Sequence, residues 1–244
     1  MRCVKDKVVV ITGASKGIGA AVARIFAAEQ ARLVLSGRNK ARLEKVARSL
    51  DLPKNRVTTV VADVSKLVGM RKIISTAYRK YGVVDIFINN AGVGLRDTVI
   101  NTTEEEYNLM MDTNVKAVFH CFKELLPRMM KQDFGQIINI SSLAGRMGVP
   151  GLSVYSASKA ALNAFSEAVA GEVRNENIKI CVLSPGSTET DFGSGLRRRR
   201  SRAASGSTVK LTVEEVAEAV LFLARQNRNA FTSMADIRPL ITKK

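Results

Sequence analysis

The segment KVVVITGASKGIGAAVARIF, residues 7–26, decides the fold. A run of β-branched apolar residues follows Lys7 and predicts a buried strand. Gly13, Gly17 and Gly19 come next and lead into apolar residues at helical spacing. Such a turn lets backbone N–H groups at the helix N-terminus approach a phosphate closely, although tight turns also need glycine for positive φ. We therefore expect the opening strand–turn–helix unit of a phosphate-binding α/β fold.

The same alternation of strand and helix patterns continues along the chain. Apolar, β-branched runs predict strands at 7–11, 32–36, 56–62, 84–89, 136–141, 178–184 and 233–239. Segments with helical spacing of apolar residues lie at 17–30, 39–50, 66–81, 104–131, 155–175 and 212–226. Repeated strand–helix–strand units predict an α/β doubly wound fold, with a seven-stranded, mostly parallel sheet and helices on both faces.

The length and composition fit a single domain, which we expect to span residues 1–244. Apolar residues make up 46% of the chain, enough for a substantial core. No apolar run reaches the roughly 20 residues that a membrane-spanning helix needs. The first strand begins too early to leave room for a secretory signal. Cys3, Cys121 and Cys181 are far apart, so we expect a cytoplasmic protein with reduced thiols and no metal site.

The formal net charge of +16 bears on the choice of partners. It favours phosphorylated cofactors, an acidic carrier protein or nucleic acid. The alternative is that lysine and arginine simply serve as surface polar residues. Because no nucleic-acid-binding module is recognisable, we expect neither a nucleic acid nor a membrane as partner. The basic segment GSGLRRRRSRAASGS, residues 193–207, has no periodicity and is expected to be a mobile loop.

A tyrosine and a lysine form the most reactive candidate pair. Tyr155 and Lys159 are four residues apart in a helical pattern, so they share one face. A phenol has a pKa near 10, and a neighbouring ammonium lowers that pKa. The pair can therefore exchange a proton with a carbonyl or alcohol oxygen. Taken alone, the spacing favours the alternative, a half-buried helix tyrosine with a lysine that reaches solvent.

Four motifs occur together in a fixed order. They are T-G-x-x-x-G-I-G at 12–19, N-N-A-G at 89–92, Y-x-x-x-K at 155–159 and P-G at 185–186. Through them the chain resembles a classical short-chain dehydrogenase/reductase over nearly its whole length, and it is similar to 3-oxoacyl-[acyl-carrier-protein] reductases. The resemblance implies a Rossmann-type fold and an NADP(H)-dependent oxidoreductase that reduces a ketone or 3-oxoacyl carbonyl by hydride transfer.

The resemblance also implies the catalytic residues. They would be Asn114, Ser142, Tyr155 and Lys159, with Tyr155 as the general acid/base. Ser142 would orient the substrate and stabilise charge on its oxygen, whereas Ser141 alternates to the other side of the strand and is expected to be structural. Lys159 would hydrogen-bond the nicotinamide ribose. Asn114 would hold a water that relays the proton through Lys159.

The charge after the second strand favours NADP(H) over NAD. NAD-preferring sites carry an acidic residue about 20 residues beyond the turn, where it binds the ribose 2′-hydroxyl. Gly37 and Arg38 occupy that place here, and Lys16 adds a cation inside the turn. A guanidinium and an ammonium favour a 2′-phosphate, and the family's NADPH-preferring members are similar at these positions. The alternative is that both are solvated surface cations.

The resemblance extends the cofactor site along the later strands. Asp63 is expected at the adenine amino group, and Thr188 and Thr190 at the nicotinamide carboxamide. Asn90 is expected near the adenosine ribose or, alternatively, as a structural turn residue. The full set of predicted cofactor residues is Gly13, Ser15, Lys16, Gly17, Ile18, Gly19, Arg38, Asp63, Val64, Asn90, Tyr155, Lys159, Pro185, Gly186, Thr188 and Thr190.

The substrate remains open at this point. A loop at about 191–210, with arginines at 197–200 and 202, lies where family members build a substrate lid. It is either a solvated loop or a recruiter of anionic substrates, such as a thioester or an acidic acyl carrier protein. The C-terminal segment lacks the reductases' Gly-Gly ending, so a general hydroxy-acid or alcohol dehydrogenase is equally open. A non-catalytic NADP(H) sensor is the remaining alternative, and the resemblance implies a homodimer or homotetramer.

Overall fold

Seven strands form one sheet in the part of the chain that the computed structural model describes, residues 3–190, 209–227, 229–230 and 232–240. The strands are β1 Val8–Ile11, β2 Arg32–Gly37, β3 Val57–Val61, β4 Ile86–Asn89, β5 Gly135–Ile140, β6 Ile178–Pro185 and β7 Met234–Ile237. Their order is β3-β2-β1-β4-β5-β6-β7, and each neighbouring pair is parallel. The Rossmann-type sheet predicted from the sequence is confirmed.

Helices cover both faces of this sheet. They are α1 Gly17–Ala28, α2 Lys40–Ser49, α3 Leu67–Tyr81, α4 Glu104–Met111, α5 Ala117–Lys131, α6 Ser153–Glu172 and α7 Val213–Ala224. Val9 and Ile11 of β1 pack with α1 and α7, whereas Val10 between them packs with α3 and α5. Both faces of the strand are therefore buried, which explains its continuous apolar run. Among these helices none is both long and apolar enough to cross a membrane.

The predicted helix over 104–131 has a more complex structure. Thr103 caps α4 through a capping box with Glu106. A π-helical turn, Asp112–Lys116, then separates α4 from α5. Asn114 lies in this turn, where its side chain bonds partners outside the helix. Single π turns inside helices are frequent at functional sites, and the apolar periodicity of the sequence does not reveal them.

The strand order reverses at β1, which has β2 on one side and β4 on the other. Ligands of open α/β sheets bind at such a switch point, beyond the carboxyl ends of the strands. The glycine-rich turn is tied across this point: the Thr12 N–H donates to the Ile88 carbonyl at 3.1 Å, and the Ala14 N–H donates to the Ser36 carbonyl at 2.9 Å. The fold thus places the turn at the centre of the crevice.

Candidate active site

Two glycines of the turn are required by close packing. A Cβ on Gly19 would lie 2.4 Å from the Gly13 carbonyl oxygen and 2.5 Å from Asn90 Nδ2. A Cβ on Gly13, whose φ is +65°, would lie 2.8 Å from Ala91 Cα. No side chain fits at either place, because backbone atoms already occupy the space. The turn and the N-N-A-G segment therefore form one packed unit.

Asn90 holds this unit together. Its Nδ2 donates to the Thr12 carbonyl at 2.9 Å and to the Gly13 carbonyl at 3.3 Å. The Thr12 hydroxyl oxygen accepts from the N–H groups of Asn90 and Ala91, each at 3.1 Å. Of the two predicted roles of Asn90, these bonds support the structural turn residue. A contact with the adenosine ribose stays a prediction.

Gly17 has a different reason to be glycine. Its φ of +55° is unfavourable for other residues, but its Cβ position is open apart from the Thr190 methyl group at 3.6 Å. Helix α1 begins here, and within the described residues no side chain caps it. The N-terminus of α1 therefore lies beside the segment after β6, and no side chain of the N-cap residue caps it. This arrangement fits a pyrophosphate.

Two cations flank the same region. A Cβ on Gly37 would lie 3.4 Å from the Ser15 hydroxyl, so the two segments are adjacent. Lys16 follows Ser15 on one segment, and Arg38 follows Gly37 on the other. Both side chains are exposed. Neither has an ion-pair partner within the described ranges. These residues fit the 2′-phosphate of NADP(H), which would neutralise them.

Asp63 follows β3 and begins a tight turn before α3. One of its carboxylate oxygens accepts from the Ser65 N–H at 3.0 Å and from the Ser65 hydroxyl at 2.8 Å. Val64 beside it is buried. The turn therefore fixes the carboxylate at the carboxyl edge of the sheet. Its predicted contact with adenine is not tested by these bonds.

The reactive pair lies on one face of α6, as predicted. Tyr155 and Lys159 are both buried, with 9% and 4% of their surface exposed. Lys159 Nζ donates to the Ile140 carbonyl at 2.8 Å and lies 6.0 Å from the centre of the Tyr155 ring. The Ser142 side chain hydrogen-bonds the Tyr155 hydroxyl. The end of β5 and the start of α6 thus converge on one phenol.

Burial dominates the pKa values of both groups. It raises the pKa of Tyr155 above the usual 10.0, and the hydrogen bond from Ser142 lowers that pKa only in part. Burial also lowers the pKa of Lys159 from 10.5 to about 8. The net direction for Tyr155 is therefore a raised pKa, set by removal from water, and the lowering contribution expected from Lys159 stays a prediction.

The family model for short chain dehydrogenases matches residues 7–201. This chain belongs to that family. An uncharacterized oxidoreductase of Staphylococcus epidermidis is 32% identical to it over 240 residues, which cover 98% of this chain and 100% of that protein. The chain is an oxidoreductase of the short-chain dehydrogenase family.

Solved structures of other oxidoreductases share the fold over almost their full length. The alcohol dehydrogenase of the archaeon Thermococcus sibiricus, complexed with 5-hydroxy-NADP, is 28% identical with a TM-score of 0.84 and covers 98% of both chains. The 3-ketoacyl-(acyl-carrier-protein) reductase of Brucella melitensis, complexed with NADH, is 30% identical with a TM-score of 0.85 and covers 96% of this chain and 98% of its own. The compounds bound in these two structures therefore differ, 5-hydroxy-NADP in one and NADH in the other.

Asn114 of this short-chain dehydrogenase is fully engaged. Its Oδ1 accepts from the Val93 N–H at 2.9 Å, and its Nδ2 donates to the Val93 carbonyl at 2.8 Å and to the Ser158 hydroxyl at 2.9 Å. The Ser158 hydroxyl in turn donates to the Tyr155 carbonyl at 2.7 Å. The side chain therefore joins the loop after β4 to α6. The predicted water relay stays a prediction, and these side-chain atoms have other partners.

Two residues of this arrangement are not predicted from the sequence. Ser158 links Asn114 to the backbone of α6. Gly92 lies next to both Asn114 and Lys159, because a Cβ at Gly92 would be 3.2 Å from Asn114 Oδ1 and 3.5 Å from Lys159 Nζ. Gly92 closes the N-N-A-G motif, and Ser158 precedes Lys159. Their positions inside known motifs are the signal that could have identified them. Ser141 is structural as predicted, because its hydroxyl donates to the Lys159 carbonyl at 3.4 Å.

The P-G segment after β6 closes the other side of the crevice. The Gly186 N–H donates to the Ile237 carbonyl at 2.8 Å, which ties this segment to β7 next to the buried Pro185. The Thr188 hydroxyl donates to the Gly186 carbonyl at 3.0 Å. The predicted contacts with the nicotinamide stay predictions. Most of the predicted lid, with its arginines, lies outside the described residues. The described residues contain no cluster of three or more metal-ligating side chains.

Proposed function

We propose that this short-chain dehydrogenase reduces a ketone or 3-oxoacyl carbonyl to an alcohol with NADP(H), with Tyr155 as general acid/base. The observation that supports it best is the buried pair of Tyr155 and Lys159, with Ser142 at the phenol, at the carboxyl edge of the sheet beside the glycine-rich turn. NADPH, when bound, supplies hydride to the carbonyl carbon. The alternative is a hydroxy-acid or alcohol dehydrogenase that uses the same residues in the oxidative direction.

The protonated state of Tyr155 is the one that reduction requires. At neutral pH the phenol keeps its proton and can donate it to the substrate oxygen. The Ser142 hydroxyl, already bonded to the phenol, can bond the same oxygen and stabilise its developing charge. With a pKa of about 8, Lys159 is mostly protonated at pH 7 and favours the phenolate that proton transfer leaves behind.

Replacement of Tyr155 by phenylalanine tests the proposal. Tyr155→Phe removes only the hydroxyl, so NADPH should still bind, as measured by its fluorescence. Turnover, measured by NADPH oxidation across ketones, oxo acids and oxoacyl thioesters, should fall by about 100- to 10,000-fold. Tyr81→Phe is the matched control, because that hydroxyl bonds the Asn55 carbonyl near the start of β3, away from the crevice. If the wild type and Tyr155→Phe are equally inactive on every substrate, the non-catalytic sensor gains support.

The preference for NADP(H) is supported by Lys16 and Arg38, which have no acidic partner among the described residues. Arg38→Gln should lower kcat/KM for NADPH by about 10- to 100-fold and leave kcat/KM for NADH nearly unchanged, because only NADPH carries the 2′-phosphate. Arg79→Gln, an exposed arginine in the last turn of α3, is the charge-matched control. A parallel loss with both cofactors would contradict the assignment.

We also propose that the protein acts in the cytoplasm as a homodimer or homotetramer. Phe119 of α5 is 46% exposed, and its ring lies 6.5 Å from that of Phe165 on α6. An exposed aromatic surface on these helices is compatible with helix pairing between subunits. Light scattering of Phe119→Glu tests the assembly, and an unchanged oligomeric mass would remove this surface as the interface.

An acidic acyl carrier protein stays a proposed partner, testable by neutralising the arginines at 197–200.

A further inference from the structure

The phenol of Tyr155 lies in a small apolar cluster of its own. Buried Met110 and Ala144 pack with it. Two loops contribute the partly buried side chains around them: the loop after β4 provides Val93 and Leu95, and the loop before α6 provides Val149 and Leu152. These two loops meet beside the reacting group. A residue that lies where they meet can therefore contact the far end of a substrate held at Tyr155.

Arg96 lies at this meeting point. It follows Leu95 directly, and its side chain lies against the other loop at Gly151, where a Cβ would be 3.8 Å from both Cγ and Nη1 of the arginine. Gly151 precedes Tyr155 by four residues, which span at most roughly 14 Å when fully extended. The actual separation is shorter, because α6 already begins at Ser153. Arg96 and Gly151 are each the direct sequence neighbour of a residue in the apolar cluster around Tyr155, so the guanidinium lies at the rim of that cluster.

The charge of Arg96 is unbalanced within the described residues. The side chain is exposed and forms no ion pair or hydrogen bond with them. The carboxylate of Asp97 instead accepts from the Thr98 N–H at 2.7 Å and from Asn101 Nδ2 at 3.1 Å. Arg146, on the turn after Ser142, is paired with Asp236 at 3.2 Å. Among the described residues at this rim, Arg96 is therefore a cation without an acidic partner.

We propose that Arg96 determines specificity, selecting short substrates that carry a carboxylate close to the reacting carbonyl. The enzyme would then reduce short oxo acids, or oxidise the matching hydroxy acids, in preference to their neutral esters. A guanidinium recognises a carboxylate through two parallel hydrogen bonds, which a neutral ester cannot match. The inference rests on the proposed function of Tyr155, since that residue fixes where the carbonyl lies.

A matched pair of substrates tests the proposal. Acetoacetate and methyl acetoacetate differ in the carboxylate alone, and NADPH oxidation measures both. In the wild type, kcat/KM should be about 10- to 100-fold higher for the acid, and Arg96→Gln should lower this acid-to-ester ratio by the same factor, mainly through KM of the acid. Arg96→Lys should keep part of the preference. Raised salt should weaken it, because the rim is exposed.

The control is Arg174→Gln, which removes the same charge from an exposed arginine just beyond the other end of α6. That end lies roughly 25 Å from Tyr155 along the helix axis, so the ratio should not change. A ratio that stays the same in Arg96→Gln, or a wild type that prefers the ester, overturns the proposal.

A second measurement does not depend on turnover. Acetoacetate binding to the NADPH-loaded Tyr155→Phe protein, followed by calorimetry, should weaken by about tenfold or more when Arg96→Gln is added. If the oxo acid binds through Arg96 but the wild type turns nothing over, the proposed function fails while Arg96 keeps its role. If binding is equal with and without Arg96, the specificity proposal fails even when turnover is present.

Discussion

At the scale of single residues, Lys159 shows how burial changes a group that the sequence identifies correctly. Its place beside Tyr155 follows from the four-residue spacing, and the structure agrees. The direction of the pKa of Tyr155 does not follow from spacing. It depends on how completely α6, β5 and the loop after β4 exclude water, and that exclusion is a property of packing between distant segments.

The lowered pKa of Lys159 makes stability depend on pH. Because its pKa of about 8 lies below the unfolded value of 10.5, the unfolded chain binds more protons between these values. The cost of the buried ammonium is present below about pH 8 and is relieved as the pH rises toward 10.5. The free energy of unfolding of the wild type, relative to Lys159→Met, should therefore rise across this window in urea titrations of the ligand-free protein.

The Lys159→Met variant also leaves the Ile140 carbonyl without its donor. The loss of this hydrogen bond is independent of pH. It therefore shifts the difference in unfolding free energy between the wild type and Lys159→Met by a constant. A difference that stays flat from pH 8 to pH 10.5 would show that Lys159 titrates normally.

Gly92 offers a second test at this scale. A methyl group there would press on Asn114 Oδ1 at 3.2 Å and would contact Lys159 Nζ at 3.5 Å. We expect Gly92→Ala to lower kcat by about tenfold or more, because small displacements of reacting groups are costly. The thermal midpoint should change little. If kcat is unchanged, the contact between this loop and Lys159 does not matter for turnover.

At the scale of elements, the sequence predicts strands and helices well and their irregularities poorly. Asn39 and Thr212 cap α2 and α7 close to the predicted helix starts. The π turn at Asp112–Lys116 is not predicted from the sequence. Hydrogen bonds between the Asn114 side chain and Val93 and Ser158 accompany the turn. Those partners come from other parts of the chain, and no local pattern encodes them.

Alanine substitutions at two exposed glycines distinguish the effect of backbone strain on stability from the effect of helix propensity. Gly171 lies in the last turn of α6 and Gly82 caps α3 with a φ of +76°, and neither has an atom within 4 Å of its Cβ position. Gly171→Ala should stabilise the protein by about 0.5–1 kcal/mol. Gly82→Ala should destabilise it by about 1–2 kcal/mol, because the left-handed conformation is costly for alanine. Urea unfolding measures both, and a shift of the same sign in both variants would contradict this account.

At the scale of the whole molecule, the alternation of patterns predicts a parallel sheet, and the family motifs predict where its crevice lies. The order β3-β2-β1-β4-β5-β6-β7 could not be read from periodicity, because parallel neighbours are joined by crossovers rather than by turns. The motifs are nevertheless spread from residue 12 to residue 186, and the parallel direction of all seven strands brings the segments that carry them to one edge of the sheet.

Cofactor binding should therefore stabilise the fold as a whole. NADPH at 100 times its Kd should raise the free energy of unfolding by about 2.7 kcal/mol, since it ties the turn to the segments after β4 and β6. NADH at the same concentration should have a smaller effect, because it lacks the 2′-phosphate that Lys16 and Arg38 would bind. Thermal unfolding with each cofactor measures the difference, and equal shifts would contradict the charge argument.

The packing of Gly13 and Gly19 changes what mutagenesis of the turn can reveal. A side chain at either position collides with the protein's own backbone or with Asn90, whether or not a nucleotide is present. An inactive Gly19→Ala variant would thus report that the segments after β1 and β4 have been forced apart. Weak nucleotide binding by that variant would be a secondary effect of this displacement. At Gly17 added bulk meets the open crevice side rather than the backbone, and the φ of +55° is the cost that such a substitution carries within the protein itself.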